Sequence, residues 1–264
     1  MMKKTANKQL TLIYGLALAV LASCGGGAQE GSDNASQPQD NDDGFVSIFD
    51  GQSLSGWEGD PMYWRVENGH IVGQLTEDTP LKSNTFLIWQ GGQPADFELK
   101  GEFRISESGN SGIQYRSERL DTIPYALRGY QADMDGKNNY TGQNYEERKR
   151  TTLAYIGQKT KINPQEKAGD LRANIERNAW LGLEVTASLG DRDSLRNLVK
   201  KEDWNEFHLV IKGNRLQHYI NGTLMSDVTD EDPVNRAMEG YLGIQVHTGP
   251  PMKVELRELY IKEL

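Results

Sequence analysis

The chain has 264 residues, with 29 lysines and arginines against 38 aspartates and glutamates. The formal net charge of −9 excludes the basic footprint of a nucleic-acid-binding protein. Cys24 is its one cysteine, so no disulfide forms within the chain and no cysteine cluster binds metal. Lys3, Lys4 and Lys8 precede an apolar run from Leu10 to Val20 and then Leu21-Ala22-Ser23-Cys24. This order predicts an export signal over 1–23, too short to read as a spanning helix. Its removal leaves 26 basic against 38 acidic residues, a charge of −12.

Small residues before a cysteine resemble the lipobox of bacterial lipoproteins, in which the thiol is acylated and becomes the first residue. The resemblance implies a lipid anchor on Cys24, a membrane as partner and a place in the cell envelope, periplasmic or surface-exposed. Residues 24–43 hold Gly, Ser, Asn, Gln and Asp with almost nothing apolar. Such a stretch buries too little to offset its ordering entropy, so a tether is expected. Residues 44–264 show neither a second linker nor an internal repeat, which predicts one large all-β domain.

Within that domain, period-two patterns alternate with turn signals. Trp64 to Glu67 and His70 to Gly73 flank Asn68-Gly69, a strong hairpin signal. Further strands are expected at Phe86 to Trp89, Phe97 to Ile105, Ser111 to Ser117, Gly129 to Asp133, Thr151 to Ile156 and Leu183 to Ser188. A three-strand meander follows: Phe207, Leu209 and Ile211 alternate with polar residues, Gly213-Asn214 turns the chain, and Asn221-Gly222 turns it again. Tyr241 to His247 and Val254 to Ile261 complete about a dozen strands, which predicts a two-sheet sandwich. Pro164 to Arg177 and Ser194 to Lys200 read as short helical insertions outside it.

Parity along three strands points to a site, because successive side chains on a strand face opposite ways. Gln114 and Arg116 oppose Ile113 and Tyr115; Gln131 and Asp133 oppose Tyr130 and Ala132; Gln245 and His247 oppose Ile244 and Val246. Each strand thus presents a glutamine followed two residues later by an ionisable group. If the three are neighbours, the shared face suits a sugar, whose hydroxyls need fixed donors and acceptors. Polar alternation also arises on any face that meets water. His218, between Leu216 and Ile220, reads as a hydrogen-bonded structural residue, and Trp57, Trp64, Trp89 and Trp204 read as core. The charged stretch Tyr145 to Arg150 reads as a loop that could fold over the patch and add Glu147 and Arg150. No phosphate-cradling glycine motif, Gly-x-Ser-x-Gly elbow or His-Glu-x-x-His helix occurs. A strand with paired glutamates for a two-carboxylate glycosidase is also absent, Asp133-Met134-Asp135 being the nearest run.

Several segments in order carry a family resemblance: Phe49-Asp50-Gly51 to Gly56-Trp57, Asp96 to Ile105, Gly109-Asn110-Ser111-Gly112-Ile113, Gly129-Tyr130-Gln131-Ala132-Asp133, Trp204-Asn205-Glu206-Phe207, Gly213 to Leu216, Asn221-Gly222 and Gln245-Val246-His247. Together they resemble the 3-keto-disaccharide hydrolase domain family. The resemblance implies a concanavalin-like jelly roll and action on 3-keto-glycosides supplied by a separate sugar 3-dehydrogenase. Lys159 to Arg192 is longer than the family pattern leads one to expect. A ketone at sugar carbon 3 acidifies the hydrogen on carbon 2, so a base can remove it and the enolate can expel the group on carbon 1. On that chemistry His247 is the expected base, Arg116 the stabiliser of the enolate, and Asp133 the orienting or proton-returning group. Glu147 joins them, with Gln114, Gln131, Gln245 and Arg150 holding the sugar. The one cofactor left open is a divalent metal, for which Asp133, Glu147 and His247 form a possible donor set that their spacing does not establish. The rival expectation is a non-catalytic carbohydrate-binding or adhesion lipoprotein on the same fold.

Overall fold

The structure, a computed structural model, describes residues 43–164 and 180–264. The expected export signal, Cys24 and its tether lie outside the described residues, as does most of the first expected helix. In chain order the strands are β1 (Val46–Ser47), β2 (Trp57–Glu58), β3 (Trp64–Glu67), β4 (His70–Leu75), β5 (Thr85–Trp89) and β6 (Phe97–Ile105). Then come β7 (Asn110–Arg119), β8 (Leu127–Asp135), β9 (Asn144–Glu147), β10 (Thr151–Ala154), β11 (Gln158–Ile162) and β12 (Leu183–Ser188). A single-turn helix, α1 (Arg192–Arg196), precedes β13 (Asn205–Lys212), β14 (Arg215–Ile220), β15 (Thr223–Asp230), β16 (Tyr241–Val246) and β17 (Met252–Glu263).

These strands form an all-β jelly-roll sandwich. One sheet of ten runs β12-β11-β15-β14-β13-β6-β17-β4-β3, with β1 paired to β17; the other, of seven, runs β10-β9-β8-β7-β16-β5-β2. The ten-stranded sheet follows the simple rule of apolar residues inward. In β6, Phe97, Leu99, Phe103 and Ile105 are buried and alternate with half-buried polar residues. Phe207, Leu209 and Ile211 of β13 do the same beside it. They meet Ile113, Tyr115, Tyr130 and Ile244 from the other sheet in one core cluster. Each such side chain contributes about 1.5–3 kcal/mol on burial.

The hairpin turns follow from their residues. Asn68 and Gly69 adopt φ of +53° and +81° between β3 and β4, and Asn221 and Gly222 adopt +48° and +74° between β14 and β15. Both pairs fit the two-residue turn whose central residues are left-handed, a conformation that Asn and Gly tolerate. Helix α1 starts earlier and ends sooner than the sequence suggests. Asp191 caps it, accepting from Ser194 N at 2.9 Å.

Among the described residues of the Lys159–Arg192 stretch, β11 and β12 extend the ten-stranded sheet. β11 pairs antiparallel with β12 and parallel with β15, so this length adds strands at one edge.

Candidate active site

β8, β7 and β16 are adjacent in the seven-stranded sheet, with Gln114 opposite both Gln131 and Gly243. Their polar face does not meet bulk water: Gln114 and Gln245 are fully buried and Gln131 nearly so. Part of that face is covered by apolar side chains, since a Cβ on Gly243 would meet Leu127 Cδ1 at 2.6 Å. The alternation in these strands therefore separates core from an enclosed polar site.

That site opens as a cleft of about 210 Å³ lined by Asn110, Gln131, Asp133, Tyr140, Gln143, Tyr145, Glu147 and His247. β8 supplies Gln131 and Asp133. β9 supplies Tyr145 and Glu147, two residues apart and so on one face. Here the first half of the charged stretch that reads as a loop is a paired strand, with Gly129 opposite Glu147, while residues 148–150 form the turn into β10. β9 looks unlike a strand because neither face is apolar: Tyr145 and Glu147 face the cleft, while Glu146 enters a buried ion cluster.

Asp133 is the electrostatic centre. Its Oδ1 accepts from Gln131 Nε2 at 2.7 Å and its Oδ2 from Gln143 Nε2 at 2.6 Å. Burial nonetheless pushes its pKa from 3.8 to about 7, with Glu147 and Asp135 adding to the rise and the two amides opposing it. The amide orientation is set from behind: Ser117 Oγ donates to Gln114 Oε1 at 2.9 Å, and Gln114 Nε2 to Gln131 Oε1 at 3.3 Å. Gly112 makes room for this chain, because a Cβ there would meet Gln131 Cγ at 2.6 Å.

Glu147 is raised above the ordinary carboxyl range by burial, while Asn84, Arg148 and His247 pull it back. Asn84 ties two parts of the site together, donating to Glu147 Oε1 at 3.0 Å and accepting from Thr248 N at 2.9 Å. His247 follows directly on β16, and its Nδ1 is hydrogen-bonded to the carbonyl of Thr248. A carbonyl only accepts, so Nδ1 carries the proton and Nε2 is left as the basic nitrogen. Burial, Glu147 and Asp133 push the Tyr145 hydroxyl upward, so it stays a neutral donor. It has no hydrogen-bond partner among the described residues.

Two expected site residues stand elsewhere. Arg116 sits at φ +44° where β7 slips register between Tyr115 and Glu118, a bulge that breaks the period-two parity. Its guanidinium donates to Ala95 O at 2.8 Å, Gly213 O at 2.7 Å and Asp96 Oδ1 at 2.9 Å, away from the cleft. Arg150 does not bind in the cleft either. It is buried among Glu146, Asp230 and Asp232, donating to Asp230 Oδ2 at 2.7 Å and to Tyr130 Oη at 3.2 Å. Gln114 and Gln245 differ from expectation as well, since neither lines the cleft. Both amide atoms of buried Gln245 lack partners among the described residues.

The donor set considered for a divalent metal does not assemble. Among the described residues no three His, Cys, Asp or Glu come together in a way that could hold an ion. No step is routed through a metal here. His218 is fully buried, 2.8 Å from Tyr115 Oη and 3.2 Å from Gln143 O, and burial lowers its pKa to about 4. It supports the backbone of Gln143 and carries no charge.

Four cleft residues escape a sequence reading, Asn110, Tyr140, Gln143 and Tyr145, as does Asn84, which holds Glu147. Only Tyr145 leaves a signal, its spacing of two from Glu147, which becomes informative once β9 is known to be a strand.

Comparison with known proteins identifies the family. One stretch of 135 residues is 30% identical to the 3-keto-disaccharide hydrolase of Bacteroides thetaiotaomicron, covering 40% of this chain and 46% of that protein. The match thus spans under half the length of that curated relative. Two crystal structures of candidate glycosyl hydrolases from Parabacteroides distasonis share the fold. One has TM-score 0.52 and 18% identity over 84% of this chain and 94% of its own. The other has TM-score 0.50 and 15% identity over 83% and 99%. Residues 44–262 match the family model of the 3-keto-alpha-glucoside-1,2-lyase-like domain, from before β1 to all but the last residue of β17. The chain belongs to the 3-keto-alpha-glucoside-1,2-lyase-like domain family.

Proposed function

We propose that the cleft cleaves 3-keto-glycosides by elimination across carbons 1 and 2 of the oxidised sugar, followed by addition of water. The observation that carries this reading is Asp133. A carboxyl with a pKa of about 7, sharing a cleft with Glu147 and His247, is poised to give and take protons at neutral pH. Membership of the family supports a carbohydrate-related function.

In the first step His247 Nε2 removes the proton from carbon 2, and the electron pair moves toward the oxygen on carbon 3. Tyr145 donates to that oxygen as charge develops, the part earlier expected of Arg116. The enolate then collapses, restoring the ketone and forming a double bond between carbons 1 and 2. The leaving oxygen on carbon 1 takes the proton of Asp133. Water adds to carbon 1, Asp133 recovers a proton from it, and His247 returns one to carbon 2. The sum is hydrolysis of one glycosidic bond, with both proton carriers restored. Glu147, which shares the cleft with His247, stabilises the imidazolium formed in between.

The chain works at the cell envelope, anchored through Cys24 on the tether that follows. The charged, apolar and small-residue order of residues 1–24 supports this. Cys24→Ser should move the protein from the membrane to the soluble fraction; unchanged fractionation refutes the anchor. A sugar 3-dehydrogenase supplies the substrate.

The test mixes purified protein with a 3-keto-disaccharide and, separately, with its unoxidised parent. Monosaccharide should appear from the first alone. His247→Ala should abolish release with little change in Tm. Binding without turnover favours a carbohydrate-binding module, and the absence of both favours the adhesion reading.

A further inference from the structure

Tyr140 stands at the cleft rim with its side chain 40% exposed and no partner for its hydroxyl among the described residues. The turn that carries it is fixed from every side. Tyr140 O accepts from Gln143 N at 2.9 Å, and Gly142 closes the turn at φ +88°, where a Cβ would meet Met225 Cβ at 2.6 Å. Thr141 Oγ1 accepts from Asp135 N at 3.0 Å, and Asn139 N donates to Asp135 Oδ2 at 2.6 Å. α1 holds the turn from outside the sandwich. Arg196 Nε donates to Asn138 O at 2.7 Å, Arg196 Nη2 to Asn139 Oδ1 at 2.6 Å, and Arg192 Nη2 to Asn139 O at 2.9 Å. An exposed aromatic ring on so firmly held a turn forgoes its own burial and keeps a flat apolar face open at a fixed place.

That place is defined by the turn. Its ends, Tyr140 and Gln143, lie within about 7 Å Cα to Cα. The amide of Gln143 is the group that holds Asp133 Oδ2. The turn also lies against the backbone of Asp133, whose carbonyl accepts from Gly142 N at 2.9 Å, so Tyr140 stands on the Asp133 side of the cleft that both residues line.

We infer that Tyr140 is the platform for the leaving-group sugar, the ring on the far side of the bond being broken, and that α1 is the brace that positions it. This rests on the elimination reading and adds to it the residue that selects glycosides whose leaving group is itself a ring. Such a ring stacks an apolar face of axial C–H groups on the tyrosine, while a methyl leaving group is too small to reach it.

The experiment compares a 3-keto-disaccharide with the methyl 3-keto-glucoside. Tyr140→Ala should lower kcat/KM on the disaccharide about 10-fold, chiefly through KM, and change the methyl glycoside by less than about 2-fold. Tyr140→Phe should restore wild-type behaviour. Arg196→Met, which removes the brace without touching substrate, should reproduce part of the loss on the disaccharide alone. Equal losses on both substrates, or none on either, overturn the platform. If wild-type protein cleaves neither substrate, the elimination reading has failed and calorimetry with unoxidised disaccharide and with glucose decides the platform separately. Weaker disaccharide binding in Tyr140→Ala with glucose unchanged upholds it; the same affinity in both proteins, or no binding by wild type, overturns it.

Discussion

Replacing Asp133 by Asn should stabilise the protein at alkaline pH while removing its activity. Burial raises the Asp133 pKa from 3.8 to about 7 in the folded state, so the folded protein holds this proton more tightly than the unfolded chain does. The associated stability is therefore complete below about pH 4, is lost as pH rises toward 7, and changes no further above that. A rise of about three units corresponds to about 4 kcal/mol in full. Between pH 5 and pH 8 wild type should lose about 3 kcal/mol relative to Asp133→Asn. The substitution carries a pH-independent cost of about 1 kcal/mol, because one amide N–H loses its carboxylate acceptor. Gln143 limits that cost, since its Oε1 has no partner among the described residues and the amide can turn to accept from the new NH2. The assay is urea unfolding of both proteins at pH 5 and pH 8, reading the difference of differences. A gap that does not change with pH refutes the raised pKa, and with it the proton-returning role of Asp133.

Four further outcomes follow from the same geometry. In wild type, kcat/KM should fall above about pH 7 as the proton that Asp133 delivers is lost, a limb that a pH profile reads directly. Tyr145→Phe should reduce kcat roughly 10²-fold with KM nearly unchanged, because its hydroxyl acts on charge that exists only in the transition state; an effect confined to KM contradicts that role. Arg150→Met should cost about 3–5 kcal/mol by leaving Asp230 and Asp232 buried without their cation and Glu146 with Lys149 alone, measured as a drop in Tm. Arg116→Met should likewise destabilise yet preserve turnover per folded molecule, since its partners are Asp96 and three carbonyls rather than substrate.

Much of the fold is readable because local rules dominate it. Asn68-Gly69, Gly213-Asn214 and Asn221-Gly222 specify their turns by backbone preference alone. Strict alternation in β6 and β13 specifies which face packs inward. The site is readable only where parity survives. Gln131, Asp133 and His247 line the cleft as their strands suggest, but Arg116 does not, because a bulge without glycine leaves no mark on a period-two pattern. Arg150 misleads for another reason: two of its partners, Asp230 and Asp232, are some 80 residues away and join it only in the folded molecule. β9 is hidden because a strand facing a polar cleft on one side and an ion cluster on the other has no apolar side to show. Asn84 belongs to no pattern at all. Its role appears only once Glu147 and Thr248 are brought to its two ends.

The central claim, removal of the carbon-2 proton by His247, is tested most directly by running the reaction in heavy water and stopping it early. Elimination and rehydration predict that the released 3-keto-sugar carries deuterium on carbon 2, that a substrate deuterated there reacts more slowly, and that His247→Ala does neither. Release of a product that keeps its original carbon-2 hydrogen, with no isotope effect, contradicts the mechanism and leaves direct displacement at carbon 1.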